Sequence, residues 1–120
     1  YHTNVMMYVG ESFAVVCMDS IDDLKEKEAV KTALKSTGKE VITISEKQVA
    51  SFAGNGLQVC DARGNRLIVM SEAAYKSLDQ NQLKALEKNG EVIHSPLNTI
   101  EYYGGGSARC MMAEIFLRKK

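Results

Sequence analysis

The sequence contains no tryptophan, only one proline and no long run of apolar residues. No stretch approaches the roughly 20 apolar residues that a membrane-spanning helix needs, and no secretory signal is visible. Its three cysteines are an odd number without a CxxC pair, which argues against a disulfide framework and against a zinc site. We therefore predict no metal site and no membrane partner, in a reducing, cytoplasmic setting.

The chain also lacks net charge, because 15 basic residues balance 15 acidic ones. A protein without a basic field does not attract nucleic acid or anionic lipid over a distance, so we predict no nucleic-acid partner. The local basic clusters at residues 63–66 and 118–120 are typical of a turn and of a solvated tail. At 120 residues and 45% hydrophobic content, the chain has the size and composition of one globular domain.

Apolar runs alternate with glycine and polar turns in an order that predicts a β-β-α-β unit. The helix of this first unit, about residues 1–52, is predicted to begin after Asp19 or Ser20 and to end near Gly38. The predicted strands of the unit lie at residues 4–9, 13–18 and 40–44.

The same order of elements returns in a second unit at about residues 53–108. Its helix is predicted to begin after Ser71 and to end near Gly90. A last apolar run at residues 109–117 is predicted to be the first strand of a further unit. The predicted strands of the second unit lie at residues 57–60, 66–70 and 91–94. The fold class is therefore α/β, with two ββαβ units and one closing strand.

Three polar residues stand just before or at the first strand of each successive unit. They are His2, Asn55 and Cys110, at intervals of 53 and 55 residues. If the units are related by a pseudo-rotation, equivalent positions meet at one end of the molecule. We therefore expect these three side chains to face a shared cavity.

The segments around these residues resemble a known superfamily. "YHTNVMMYVG", "FAGNGLQV" and "TIEYYGGGSARCMMAEIF" are similar, in this order, to the guanidine-modifying, or pentein, superfamily. The similarity is closest to the amidinotransferase-like branch that includes the bacterial citrulline utilization hydrolases. It covers essentially the whole chain and corresponds to the C-terminal portion of that catalytic domain. A start at Tyr1 rather than at a methionine also favours a processed chain or part of a larger protein.

The resemblance implies a fold and a set of site residues. The fold is an α/β propeller of five ββαβ units, of which this chain would form a part, with a small amino-acid substrate at the centre. Cys110 matches the nucleophile of the family and His2 matches its general acid/base. Asn55 and Gly54 match a loop beside the substrate, and no cofactor is implied. The family also uses carboxylates from its N-terminal half, so we expect the isolated chain to be inactive.

The chemistry of this class requires a thiolate that attacks a planar carbon bonded to three heteroatoms. Cys110 would expel an amine and hold the carbon on sulfur, while His2 would protonate the leaving nitrogen and later activate water. Gly106, in the glycine run before the cysteine, would let the backbone approach the substrate. Arg109 can hold a substrate carboxylate, although strand alternation from Cys110 can equally turn it away.

These observations favour a hydrolase of a guanidino or ureido C–N bond, with citrulline or an arginine derivative as substrate. An amidino-group transferase, a dimethylarginine-type hydrolase and a simple amino-acid binding module remain alternatives. So does an inert fragment that self-associates, because open strand edges favour a homo-oligomer or association with an N-terminal portion.

The other candidate residues have simpler interpretations. Cys17 and Cys60 lie in apolar strands and are predicted to be buried in the core. His94 is predicted to be structural, and Glu101 and Ser107 are weaker site candidates. Asn55 alone would fit a turn, since asparagine tolerates left-handed backbone.

Overall fold

The computed structural model describes residues 2–115 of the chain. Two three-stranded sheets, each with its own helices, follow one another along the sequence. The strands are β1 (Met7–Val9), β2 (Phe13–Val16), β3 (Glu40–Thr43), β4 (Leu57–Cys60), β5 (Arg66–Ser71) and β6 (Glu91–Ser95). The helices are α1 (Leu24–Ser36), α2 (Glu46–Ala50), α3 (Glu72–Ser77), α4 (Gln80–Glu87) and α5 (Asn98–Gly104). Short 3-10 helices lie at Thr3–Val5, Met18–Ser20 and Ala108–Met111.

Both sheets have the same topology. In each sheet, the first two strands form an antiparallel hairpin and the third lies parallel to the second, after a helical crossover. The strand order is β1-β2-β3 in one sheet and β4-β5-β6 in the other. Because a parallel neighbour requires a crossover, the helix between the second and third strands completes each unit. The predicted pair of ββαβ units is therefore confirmed.

The beginning of the first unit differs from the prediction. Thr3–Val5 is a 3-10 helix, and β1 begins only at Met7. The helix α1 is capped by Asp23 rather than by Asp19 or Ser20, because the Asp23 side chain accepts the N–H groups of the next turn. The predicted stop at Gly38 is confirmed, since its φ of 77° is left-handed backbone that favours glycine.

The long helix predicted for the second unit is two helices. Ser71 caps α3 as predicted, but Leu78 has extended backbone and Asp79 starts α4 with a capping box to Gln82. The same type of capping box, from Ser45 to Gln48, begins α2, which was not predicted. In both places the capping-box pattern, Ser or Asp followed three residues later by Gln, was present in the sequence. This local pattern determines where the helices begin, rather than the apolar periodicity.

The predicted closing strand is wrong over its first part. Ala108–Met111 forms a 3-10 helix, and residues 112–115 belong to no strand of either sheet. The remaining two positions of that prediction, 116 and 117, lie outside the described residues. The turn forms because the backbone N–H of Cys110 bonds to the carbonyl of Ser107, at 3.1 Å, instead of pairing with a neighbouring strand.

One hydrophobic core joins both units. It contains side chains of both central strands, such as Phe13 and Cys17 from β2 and its end, and Ile68 from β5. The predicted burial of Cys17 is confirmed, whereas the prediction for Cys60 is wrong because that residue is exposed. Cys60 ends the edge strand β4, where the Asp61 carboxylate accepts the N–H groups of the following turn. Hydrogen bonds from Asn65 hold the pKa of the Asp61 carboxyl below its usual value.

Tyr8 is a polar residue inside this core. Burial raises the pKa of its hydroxyl above the usual range, and within residues 2–115 the hydroxyl has no hydrogen-bond partner. The phenol therefore stays protonated at neutral pH. Its ring lies against Gly56, where an added Cβ would come within 2.7 Å of the ring carbon that bears the hydroxyl.

Two glutamine side chains, Gln48 and Gln82, connect the two units. Gln48 of α2 donates to the Ser77 carbonyl at 2.8 Å and to the Gln82 side chain at 2.7 Å. Gln82 in turn donates to the Thr43 carbonyl at the end of β3, at 2.7 Å. The side chains that cap α2 and α4 thus also join the two units. Within the described part of the chain, no helix has the length and apolar character to cross a bilayer.

Candidate active site

The structure brings His2, Asn55 and Cys110 together at one end of the molecule. A cavity of about 340 Å³ is lined by residues from the start and the end of the chain: His2, Asn4, Gly104, Gly105, Gly106 and Cys110. Asn55 lies directly beneath Cys110, with its Nδ2 atom 3.2 Å from Sγ. Cys110 is exposed to the cavity and Asn55 is buried. His2 and Cys110 therefore line one cavity as expected, whereas Asn55 does not line it and is buried against Cys110. The chemical roles of all three residues stay predictions.

His2 comes to the cavity through the 3-10 turn at the start of the chain. Its backbone is extended, with φ −79° and ψ 137°, and its carbonyl accepts the N–H of Val5 at 3.1 Å. The turn brings the side chains of His2 and Asn4 to the same cavity. A histidine at the cavity wall can exchange a proton with a bound amine or water.

Asn4 is a site residue that the sequence analysis missed. Its Nδ2 atom lies 3.9 Å from Sγ of Cys110, a long contact that is acceptable for a sulfur acceptor. Strand alternation could not have revealed it, because Thr3–Val5 is a 3-10 helix and Asn4 reaches the cavity through that turn. Both amides near the sulfur therefore present N–H groups to it.

Both polar atoms of the Asn55 carboxamide have hydrogen-bond partners in the protein. Its Oδ1 accepts the backbone N–H of Arg109 at 3.0 Å, and its Nδ2 donates to the carbonyl of Asn4 at 2.6 Å as well as to Sγ of Cys110. The residue is only 2% exposed. A substrate contact by Asn55 stays a prediction, since every contact of its carboxamide within the described residues is to the protein.

The three glycines before Cys110 have different structural environments. Gly105 ends α5 with φ 65°, and its N–H donates to the carbonyl of Glu101 at 3.3 Å. At Gly106 an added Cβ would lie 3.2 Å from both Cβ and Sγ of Cys110. At Gly104 the nearest atom would be 4.0 Å away, so packing does not demand glycine there. Gly106 therefore leaves space around the sulfur, and its substrate contact stays a prediction.

Gly54 lies against the backbone of the segment that follows His2. An added Cβ would overlap the carbonyl oxygen of Val5 and lie 2.8 Å from the carbonyl carbon of Met6. This close approach lets Asn55 reach Asn4 and Cys110 at once. A glycine is needed there for packing, whether or not its backbone also contacts substrate.

The remaining predicted residues do not line the cavity. The Arg109 guanidinium donates to the carbonyl of Met112 at 3.2 Å and does not line the cavity, so its contact with a substrate carboxylate stays a prediction. The buried Ser107 hydroxyl donates to the Glu101 carboxylate at 2.6 Å, which fastens the end of α5 to the loop before Cys110. His94 stacks on Tyr75, with ring centroids 4.1 Å apart, away from the cavity lining.

Larger depressions exist elsewhere but hold no comparable set of groups. One of about 500 Å³ runs along β4 beside the ion pair of Arg66 with Glu11 and the exposed Cys60. Another of about 530 Å³ lies between α2 and α3. Among residues 2–115, no group of three or more histidine, cysteine or carboxylate side chains could hold a metal ion. The candidate site is therefore the smaller cavity, because Cys110 and His2 both line it.

The fold is similar to that of a guanidine-modifying enzyme. The structure matches the apo crystal structure of ArgZ, an arginine dihydrolase from the ornithine–ammonia cycle in cyanobacteria, with a TM-score of 0.66 and 19% sequence identity. The match covers 92% of this chain and 15% of that chain. At this identity the likeness establishes a shared fold, and this chain spans a small part of the length of its structural relative.

A sequence comparison then identifies the family. The family model described as "N,N dimethylarginine dimethylhydrolase, eukaryotic" matches residues 1–117. The chain therefore belongs to the dimethylarginine dimethylhydrolase family, within the guanidine-modifying superfamily that the sequence resembles. A search of curated proteins found no match. The closer relation to citrulline utilization hydrolases and the C-terminal position in a longer domain stay predictions.

Proposed function

We propose that the whole protein is a hydrolase that cleaves a C–N bond of a guanidino or ureido amino acid through a covalent intermediate on Cys110. One observation carries the proposal: His2 and Cys110 line the same cavity although they lie near opposite ends of the chain. The family match and the shared fold with an arginine dihydrolase support the same reaction class. No cofactor is needed for this chemistry.

The proposed reaction has two steps that use the same two side chains. In the first, the Cys110 thiolate forms a C–S bond with the central carbon of the guanidinium group. The C–N bond to the leaving amine then breaks, and His2 supplies the proton that the amine takes away. In the second, water attacks the carbon while His2 accepts its proton, the C–S bond breaks, and the product leaves with a ureido oxygen. The thiolate is regenerated, so neither an oxidant nor a reductant is required.

The substrate that the family match favours is an N-methylated arginine, and the resemblance of the sequence motifs favours citrulline. Both present a planar carbon bonded to three heteroatoms, so both fit the proposed reaction. An amidino-group transferase would need an amine in place of water in the second step. Further units of a propeller would supply the carboxylates that bind the cationic group, and the described cavity lining contains none.

The assay that tests this function offers the whole protein dimethylarginine, arginine and citrulline separately. We expect dimethylamine from the first or ammonia from the others, with stoichiometric ureido product where the substrate is a guanidine. Product formed only when glycine or another amine is added would establish a transferase. Heat of binding in calorimetry without product from any of the three would overturn the hydrolase proposal and favour a binding module.

We also propose that the chain associates with a second copy of itself through two faces that its own repeat leaves open. Ile42 of β3 is 6% exposed, and α4 of the second unit packs against β3. Ile93, at the equivalent position of β6, is 41% exposed. The helix α1 has no buried residue, and Leu24 at its start is 74% exposed. The repeat therefore predicts that α1 of one copy packs onto β6 of another.

This association predicts a concentration-dependent mass for the isolated chain. We expect the average mass in light scattering to rise with concentration, since head-to-tail contacts join successive copies into rings or open filaments. Ile93→Lys should abolish the rise, because burying an unpaired charge is costly. The matched control is Ile100→Lys, at an apolar residue of similar exposure on α5. A monomer at all concentrations, or an unchanged profile with Ile93→Lys, would contradict it.

A cytoplasmic location is likewise proposed, from three cysteines that are free in the described chain.

A further inference from the structure

We propose that Asn55 is a positioning residue, whose carboxamide holds Sγ of Cys110 in place against the chain segment that carries His2. Its consequence for turnover rests on the proposed hydrolase function, whereas its consequence for the sulfur does not. The inference starts from one side chain that contacts three separate parts of the site: Asn4, Arg109 and Cys110.

The orientation of the Asn55 carboxamide follows from its backbone partners. The N–H of Arg109 can only donate, so the atom 3.0 Å from it must be the acceptor Oδ1. The carbonyl of Asn4 can only accept, so the atom 2.6 Å from it must be the donor Nδ2. The flipped amide would place donor against donor and acceptor against acceptor. The second hydrogen of Nδ2 is therefore directed at Sγ of Cys110, 3.2 Å away.

The contact with sulfur restrains the position of Sγ. The Asn55 amide is itself held by two backbone partners, so the hydrogen that it presents to Sγ has a fixed direction. Asn55 is 2% exposed, and water competes little with such a bond. Asn4 adds a second, longer N–H contact at 3.9 Å. Both hydrogens of the Asn55 Nδ2 atom are thereby used, which leaves no donor of this amide for a substrate.

Two charged side chains close to the site in the sequence, Arg109 and Glu101, have partners of their own. In the described structure, His2 is the one titratable side chain besides Cys110 that lines the cavity. The Arg109 guanidinium turns to the Met112 carbonyl, and the Glu101 carboxylate accepts from Ser107. The carbonyl that Asn55 holds belongs to Asn4, two residues after His2, so the same amide also sets the spacing between the imidazole and the sulfur.

The test measures the rate at which iodoacetamide alkylates individual cysteines at one fixed pH, by peptide mass spectrometry, in the unaltered protein and in Asn55 variants. Cys60 is exposed and outside the cavity lining, so it is an internal reference in the same molecule. The ratio of the Cys110 rate to the Cys60 rate reports how Sγ of Cys110 is held.

Asn55→Asp replaces the donor with a negative charge of the same shape. We expect the rate at Cys110 to fall about tenfold, because a carboxylate in place of the N–H donor repels the nucleophilic sulfur, with the rate at Cys60 unchanged. Asn89→Asp is the matched control, because Asn89 is a partly buried amide that bonds to Ser12 and Ala85 and lies outside the cavity lining. An unchanged Cys110 rate in folded Asn55→Asp would contradict the inference.

Turnover separates this inference from the proposed function. Asn55→Ser keeps a hydroxyl donor, and we expect it to lower kcat of the whole protein with little change in KM, since the substrate is not its partner. A rise in KM at constant kcat would instead mean that Asn55 binds substrate. If alkylation behaves as expected and no substrate is hydrolysed, the hydrolase proposal fails while the positioning role stands.

Discussion

Replacing Cys110 with alanine in the whole protein is expected to lower kcat for C–N bond hydrolysis by at least about 10³-fold. The covalent step needs the sulfur as nucleophile, and no other thiol lines the cavity in the described structure. Release of ammonia or dimethylamine measures the effect. The fold should be retained, because Cys110 is exposed to the cavity and is not part of the hydrophobic core.

The control for this variant is Cys60→Ala. Cys60 is also exposed, but it lies at the end of β4 and outside the cavity lining, so its removal should leave kcat within about twofold of the unaltered protein. Thermal unfolding of both variants tests whether they remain folded. Normal turnover by folded Cys110→Ala would show that another group is the nucleophile.

Gly54→Ala is expected to lower the free energy of unfolding by about 3 kcal/mol. The added Cβ would overlap the Val5 carbonyl oxygen and approach the Met6 carbonyl carbon to 2.8 Å, and backbone atoms cannot move aside as a flexible side chain can. Separation of the two segments would also move Asn4 and His2 away from Asn55. Denaturant unfolding measures the stability, and alkylation of Cys110 reports whether the site is disturbed.

Gly104→Ala is the matched control, in the glycine run itself. Its Cβ would meet nothing closer than a side-chain atom of Ile100 at 4.0 Å, and Gly104 is the last residue of a helix. We expect its stability to lie within about 0.5 kcal/mol of the unaltered chain. If Gly54→Ala unfolded at the same denaturant concentration as Gly104→Ala, the close packing against the His2 segment would be wrong.

The strands and their order could be predicted because apolar alternation reports burial directly. The prediction for β4 at residues 57–60 agrees with the structure residue by residue, and both units have the predicted topology. The meeting of His2, Asn55 and Cys110 also follows from their spacing, once the units are taken as equivalent. These features depend on periodicity and register, which a single sequence carries.

The errors came where local hydrogen bonds compete with periodicity. Both Asp19 and Asp23 can cap a helix, and the backbone N–H groups reached by Asp23 decide between them. The break at Leu78 depends on the capping box of Asp79 with Gln82, which interrupts an otherwise continuous apolar stripe. The residues around Cys110 alternate like a strand but form a 3-10 turn, since the N–H of Arg109 bonds to Asn55 rather than to a strand.

Contacts between distant segments were beyond any local pattern. The need for glycine at position 54 comes from the backbone of Val5 and Met6, far away in the chain. The role of Asn55 depends on three partners from two other segments. Such requirements appear only when the packed structure shows which backbone atoms approach each other.

The central claim, that Cys110 bears the covalent intermediate, is tested most directly by acid-quenching the whole protein during turnover of an arginine derivative. Peptide mass spectrometry then locates the modified residue. The account predicts an amidino-type adduct on the Cys110 peptide, with Cys17 and Cys60 unmodified and no adduct in Cys110→Ala. Rapid turnover with Cys110 unmodified at every quench time, or an adduct on another cysteine, would contradict it.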